Sequence, residues 1–458
     1  MVAIVLGHIP LFVVVGAIVA LVVVAVTTWR PVAGCIILAL AVPLTAGMGR
    51  SPILPVIRPI EALSVLVAVG MLAHFLPKRR KVGFTAMDVA VVAFTVGGAL
   101  VPWAVLFLSK QSVGLDTWQS VLAPLQYLLV YLLFSRLEVS ADNLRLILQL
   151  ELVASVIIGI VGLAQLVDLP GVRGFIASTY PIAGQLNACQ VGGCRPTSLL
   201  DHWSAFGAFG VLNFAVALAL VCTPAARFSN RWLIVVMAVN LLAVFASQTP
   251  AAIIGLVLVT VIVLVHRGRM PRQLPVAGVA LAMAGAIFWT QVQVRAATPP
   301  ATTRADLAAS DSLQSRDPSQ LLVPLVMDHL WTGTGTVVPT QVPDRLTTYF
   351  DNEYLRMGLR GGIFGEALLL LLLASVAVAG WRSRGSPRPL IQVLGALALT
   401  SAVFLGVLGT SADYLSYPGV SQLFWIIVGL LGGSVLSTVA ANWQGRQPHP
   451  GITVRPSS

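Results

Sequence analysis

The sequence predicts an all-α integral membrane protein: a polytopic bundle of about 12–13 transmembrane helices with one large extracytoplasmic loop carrying short helices. Three observations carry this. Of 458 residues, 57% are hydrophobic and 10% charged, with a mean hydropathy of +0.89, whereas soluble domains devote roughly a quarter of their residues to charge. Apolar stretches of about 20 residues, the length a spanning helix needs, recur from Leu11 to the neighbourhood of Leu436. These stretches are continuous and do not alternate with polar residues, so they read as helices and not as barrel strands.

Taken in order, each span is bounded by charge or by a turn. Spans 9–28 and 32–48 flank Arg30, and no basic segment precedes the first, which is therefore expected to be retained and not cleaved as a signal peptide. Span 57–77 ends on the run Lys78-Arg79-Arg80-Lys81, and spans 86–108 and 118–136 follow, the latter closing on Arg136. Span 144–167 starts beside Arg145 and leads to a polar loop, 168–202. Spans 203–223 and 232–248 flank Arg227 and Arg231, and 250–266 ends on Arg267, Arg269 and Arg272. Span 274–293 leads into the large loop 294–358, and 359–381, 390–409 and 417–438 complete a single membrane domain over 1–458 with a tail at 439–458.

The net charge of +11 does not point to nucleic acid, because the basic residues sit in short loops between apolar spans. Seventeen of the 28 fall on one side, which the positive-inside rule makes the cytoplasm. The N-terminus is then outside and the C-terminus inside, and the two long polar loops are both outside, where chemistry is expected. Within the larger one, 321–331 has the apolar spacing of a short amphipathic helix lying on the membrane.

Cys35 and Cys222 lie in or beside apolar spans and are expected to be inert. Cys189 and Cys194 share the 168–202 loop, where they form either a small disulfide or two free thiols. The six histidines are scattered and no phosphate-cradling Gly-x-x-x-x-Gly-Lys motif occurs, so neither a metal nor any other cofactor is expected. What remains outside is a set of arginines, Arg195, Arg316, Arg356 and Arg360, beside Asp317, Asp328, Asp344, Asp351 and Glu353. A guanidinium fork suits diphosphate, and a carboxylate beside it can act as general base; taken singly, each such residue more often pairs with a neighbour or snorkels. Glu61, Glu151 and Glu366 fall within apolar stretches and are expected to face the bundle interior, on a proton or substrate path or paired locally, Glu61 with Arg58.

Four stretches together resemble the O-antigen ligase and polymerase superfamily of bacterial membrane glycosyltransferases. Gly193-Cys194-Arg195-Pro196-Thr197-Ser198 with Asp201-His202-Trp203-Ser204-Ala205 is similar to its arginine segment at the mouth of a span. Ser247-Gln248-Thr249-Pro250-Ala251-Ala252 resembles its tight polar turn. Ser315-Arg316-Asp317 and Asp328-His329-Leu330-Trp331-Thr332-Gly333-Thr334-Gly335 resemble its arginine, short helix and glycine run. Asp351-Asn352, nine residues, then Gly362-Ile363-Phe364-Gly365 matches a ligase pattern in which histidine stands at the first position.

The resemblance implies metal-independent, inverting transfer from an undecaprenyl-diphosphate-linked glycan to a glycan or lipid acceptor, in a bacterial plasma membrane. Arg195 and Arg316 would neutralise the diphosphate, with Arg356, Asn352, Tyr354 and His329 lining the diphosphate or glycan. Asp351 in place of histidine leaves the base open between Asp351 and Glu353, and favours a polymerase over a ligase. Membrane lipids and a chain-length regulator are the implied partners. A transporter or flippase of lipid-linked glycan fits the span count equally, although no internal repeat supports it, and no soluble domain marks a scaffold or sensor.

Overall fold

The structure, a computed structural model, describes residues 11–49, 57–76, 83–110, 114–137, 139–180, 195–268, 318–335 and 352–444. Span 274–293, the Lys78–Lys81 run, Cys189, Cys194, Arg316 and Asp351 lie outside them, as do Asp317, Asp344 and most of the 294–358 loop.

The described chain is helical throughout its ordered elements: α1 (Leu11–Trp29), α2 (Pro31–Thr45), α3 (Pro59–Phe75), α4 (Ala86–Leu108), α5 (Leu115–Ser135), α6 (Ala141–Leu166), the short α7 (Val172–Thr179), α8 (Trp203–Val221), α9 (Asn230–Ser247), α10 (Pro250–Arg267), α11 (Pro318–Asp328), α12 (Glu353–Arg382), α13 (Pro389–Leu408) and α14 (Pro418–Gln444). Among the described residues seven helices are long and apolar enough to cross a membrane, and five shorter apolar ones accompany them. Proline opens α2, α3, α10 and α13, where its missing N–H costs nothing. Large side chains such as Leu21, Val89, Phe107 and Ile254 stand exposed around the bundle, as a hydrocarbon surround permits. The chain is an all-α, multi-pass membrane protein.

α8 runs through the centre. It carries no charge and is buried on every side, packed against α6, α9, α10 and α13. Small residues allow the approach: a Cβ on Gly207 would stand 2.5 Å from Ser247 Oγ. Cys35 and Cys222 are buried free thiols, as the sequence led us to expect.

The helix ends fall into two groups. At one end arginines tie neighbours together: Arg136 reaches Asp88 at 2.7 Å, Arg145 the carbonyl of Ala226 at 2.9 Å and Arg267 the amide oxygen of Gln392 at 2.6 Å. Asp88 also accepts from Tyr131 and from both the N–H and hydroxyl of Thr85, the cap of α4. The opposite end gathers residues 195–202, 247–249, 352–357 and 409–417.

Three details depart from the sequence reading. Glu61 accepts the main-chain N–H of Arg58 at 3.0 Å and caps α3, so its partner is the backbone and not the Arg58 charge. The amphipathic helix placed at 321–331 spans Pro318–Asp328, and the last turn is closed instead by Gly333 N–H donating to His329 O. The helix placed at 359–381 begins at Glu353, because Asn352 caps it, and is interrupted between two limbs.

Candidate functional site

The first limb of α12 builds the site. Asn352, in extended backbone, accepts from the N–H groups of Tyr354 and Leu355 at 2.9 and 3.1 Å and so starts the helix. Glu353 follows in the first turn, buried, its N–H donating to Gly409 O at 2.7 Å. Its carboxylate accepts from Arg356 Nη2 at 2.7 Å on one oxygen and from the N–H of Leu415 at 3.0 Å on the other. Tyr354 donates its hydroxyl to Gly406 O. Helical spacing then puts Arg356 and Arg360 on one face, and both are buried, at 8% and 5% exposure. Arg360 donates to the carbonyls of Ser120 and Val121 on α5.

The limb stops at Gly361 (φ −142°, ψ 15°) and Gly362 (φ 57°, ψ −151°), the latter a conformation open to glycine alone. A break inside an apolar bundle frees main-chain groups that need partners. The segment after α11 supplies them: Ile363 N–H donates to Leu330 O and Thr334 N–H to Leu359 O, each at 2.7 Å. The fit leaves no room for a side chain, since a Cβ on Gly362 would meet Leu330 O at 2.5 Å and Trp331 O at 2.6 Å. Gly362→Ala should therefore lower the unfolding free energy by about 3 kcal/mol or more through strain and main-chain collision. Thermal unfolding in detergent, compared with Gly174→Ala at an open position, measures it.

Beside the break lies a narrow, partly open groove between α4, α5 and α12, walled by Phe94, Val101, Pro102, Pro124, Tyr127 and Leu368. Its lining is almost wholly apolar, and the buried Arg356 and Arg360 border it. The Nε of each arginine is buried with no acceptor, and among the described residues no carboxylate pairs with Arg360. Two guanidinium groups bordering an apolar groove, each with a donor to spare, suit an anion carrying an apolar chain.

Asp413 closes the site from the α13–α14 connection. It is 1% exposed, Oδ2 accepts from Ser416 at 2.7 Å and Oδ1 has no donor. Burial lifts its carboxyl to about 7, against the pull of Arg356. Tyr414 and Tyr417, their rings 6.1 Å apart, connect this corner to a second cluster. There His202 stacks on Tyr417, Arg195 lies over the Trp203 ring at 5.2 Å and donates to Gln248 O at 3.0 Å, and Gln248 turns the chain in left-handed backbone. Burial raises Asp201 to about 6, with Arg58 opposing, and lowers His202 to about 4, with Arg195 adding to the effect.

The structure thus gathers Asn352, Glu353, Tyr354 and Arg356, and sets Arg195 in the adjoining cluster. His329 stands exposed beyond α11, its ring nitrogen 3.3 Å from Leu325 O. Arg316 and Asp351 fall outside the described residues. In the sequence Arg360 is only one outward charge among several, and Asp413, Tyr414 and Tyr127 carry no motif that singles them out. The available signal was the polar island 409–417 between two apolar spans. Among the described residues no group of His, Cys, Asp and Glu could hold a metal ion. The chain matches no protein-family model and no curated protein. Fold and site together define an all-α, multi-pass membrane protein with a buried arginine pair bordering an apolar groove.

Proposed function

We propose that the protein transfers a glycan from a polyprenyl-diphosphate-linked donor to a glycan or lipid acceptor, a polymerase in preference to a ligase, without metal and with inversion. The observation that carries the reading is the buried pair Arg356 and Arg360 bordering an apolar groove, each with an Nε that has no protein acceptor. The groove takes the isoprenoid chain and the arginines take the diphosphate. An acceptor hydroxyl oxygen attacks the anomeric carbon, the bond from that carbon to the diphosphate oxygen breaks, and the lipid diphosphate leaves with the bonding pair. Arg356 and Arg360 stabilise the charge that grows on it.

The acceptor proton needs a base. Both oxygens of Glu353 are already engaged, which makes Glu353 the group that orients Arg356 and the 413–417 turn. Asp413 keeps one oxygen without a donor and titrates near neutrality, where a general base works best. The site end of the bundle is then the outer face of a bacterial plasma membrane, with the N-terminus outside and the C-terminus in the cytoplasm, the arrangement the positive-inside rule favours.

Purified protein in liposomes, supplied with a polyprenyl-diphosphate oligosaccharide, is expected to consume the donor and yield longer or transferred glycan. If donor is bound or moved across the bilayer yet never consumed with any acceptor, the protein is a transporter and the arginines are a binding site only.

A further inference from the structure

Away from the groove, α6, α8 and α9 enclose a polar cluster at mid-length. Glu151 stands ten residues into α6, Asn213 ten into α8 and Asn240 ten into α9. Glu151 is 3% exposed, and neither of its oxygens has a hydrogen-bond partner. Asn213 adjoins it across the helix contact. Its amide nitrogen donates to Phe209 O at 3.1 Å, while its Oδ1 is buried without a donor.

The neighbouring donors are spent. Ser155, one turn beyond Glu151, donates to Leu152 O at 2.9 Å; Asn240 gives its amide hydrogens to Ser155 Oγ at 3.0 Å and Val236 O at 2.9 Å. Among the described residues no charge offsets a carboxylate here; α7, packed on α6, carries Arg173, which pairs with Asp168 at 3.0 Å. α8 and α13 contain no titratable side chain, α2 contributes only the Cys35 thiol, and α9 only Arg231 in its first turn. On α6 itself, Asp142 and Arg145 lie in the first two turns and pair with each other at 2.7 Å.

We infer that Glu151 is a proton-binding site within the membrane span, occupied by a hydron that its carboxylic acid donates to Oδ1 of Asn213. One added proton turns a surplus of acceptors into a matched set. The acid O–H donates to Asn213 Oδ1, and the second amide hydrogen of Asn213 returns a bond to the other acid oxygen, a reciprocal pair that fastens α6 to α8. The proton comes from water and no other group changes state. An alkali cation fits less well: α6, α8 and α9 are unbroken, so their carbonyls are committed within each helix, and the remaining side-chain oxygens are too few to replace a hydration shell.

Infrared spectra of the full chain in lipid nanodiscs at neutral pH test this against Glu151→Gln and Asn213→Leu. The native protein should show a protonated-carboxyl carbonyl band that Glu151→Gln lacks and that Asn213→Leu moves to the frequency of an unbonded acid. Glu151→Gln, whose amide reproduces the reciprocal pair, should keep the native unfolding midpoint, and Glu151→Ala should lower it. Native and Glu151→Gln spectra that coincide in the acid region would overturn the inference. So would a native midpoint that falls when sodium is replaced by choline while that of Glu151→Gln does not. If Asn213→Leu does not accumulate, the Glu151→Gln difference spectrum decides alone.

Discussion

Replacing Asp413 with asparagine should lower glycan transfer by about 10²- to 10⁴-fold, the range a positioned general base contributes. The native rate should climb as pH rises through about 7, where the buried carboxyl loses its proton, and the residual rate of Asp413→Asn should be flat across that window. Stability provides an independent readout with the opposite slope. Burial raises this carboxyl above its ordinary value, so the folded state holds the proton more tightly than the unfolded chain does. Its contribution is fully present below about pH 4 and is lost as pH rises toward 7. Asparagine, neutral throughout, should remove that slope. Initial rates and detergent unfolding midpoints at matched pH values measure both, and an unchanged pH profile of transfer in the variant would exclude Asp413 as the base.

The second large effect is expected at Arg360. Arg360→Ala should cut the rate by about 10²- to 10³-fold, as loss of a charge-stabilising donor typically does. The loss should fall on both KM and kcat, because the donor diphosphate is already anionic when bound and gains further charge in the transition state. Arg360 also bonds the Ser120 and Val121 carbonyls, so structural damage has to be separated from catalytic loss. Arg360→Lys does this: a lysine keeps one charge and can reach a carbonyl, but lacks the fork that grips two phosphate oxygens. A lysine variant with native unfolding and an alanine-like rate assigns the effect to the diphosphate, whereas a native rate in both would remove Arg360 from the chemistry.

The membrane spans were legible because hydrocarbon selects for uninterrupted apolar runs, and α4, α8 and α13 begin within a few residues of where hydropathy put them. The burial of Glu151 was legible for the same reason. Glu353 to Arg360 was not, since a dense group of charges reads as solvated loop. What buries it is long-range: Glu353 needs the main chain of Gly409 and Leu415, and Arg360 needs two carbonyls on α5, more than 200 residues away. Asp413 is hidden differently: its short connection reads as an ordinary turn, and only the fold brings Arg356 near it. Arg195 could be identified by its motif, yet its anchors, Gln248 O and the Trp203 ring, come from folding.

An interrupted helix in a membrane protein is commonly a joint about which one part rocks. In α12 the joint is stapled. Leu330 O and Thr334 N–H hold the loosened backbone from outside, and tilting one limb against the other would strand both groups in a medium that offers them nothing. The interruption therefore behaves as a rigid bracket: it fixes Arg356 and Arg360 against α5 whatever occupies the groove. Whatever lies along the groove has to conform to this fixed gauge, because the bracket holds its shape.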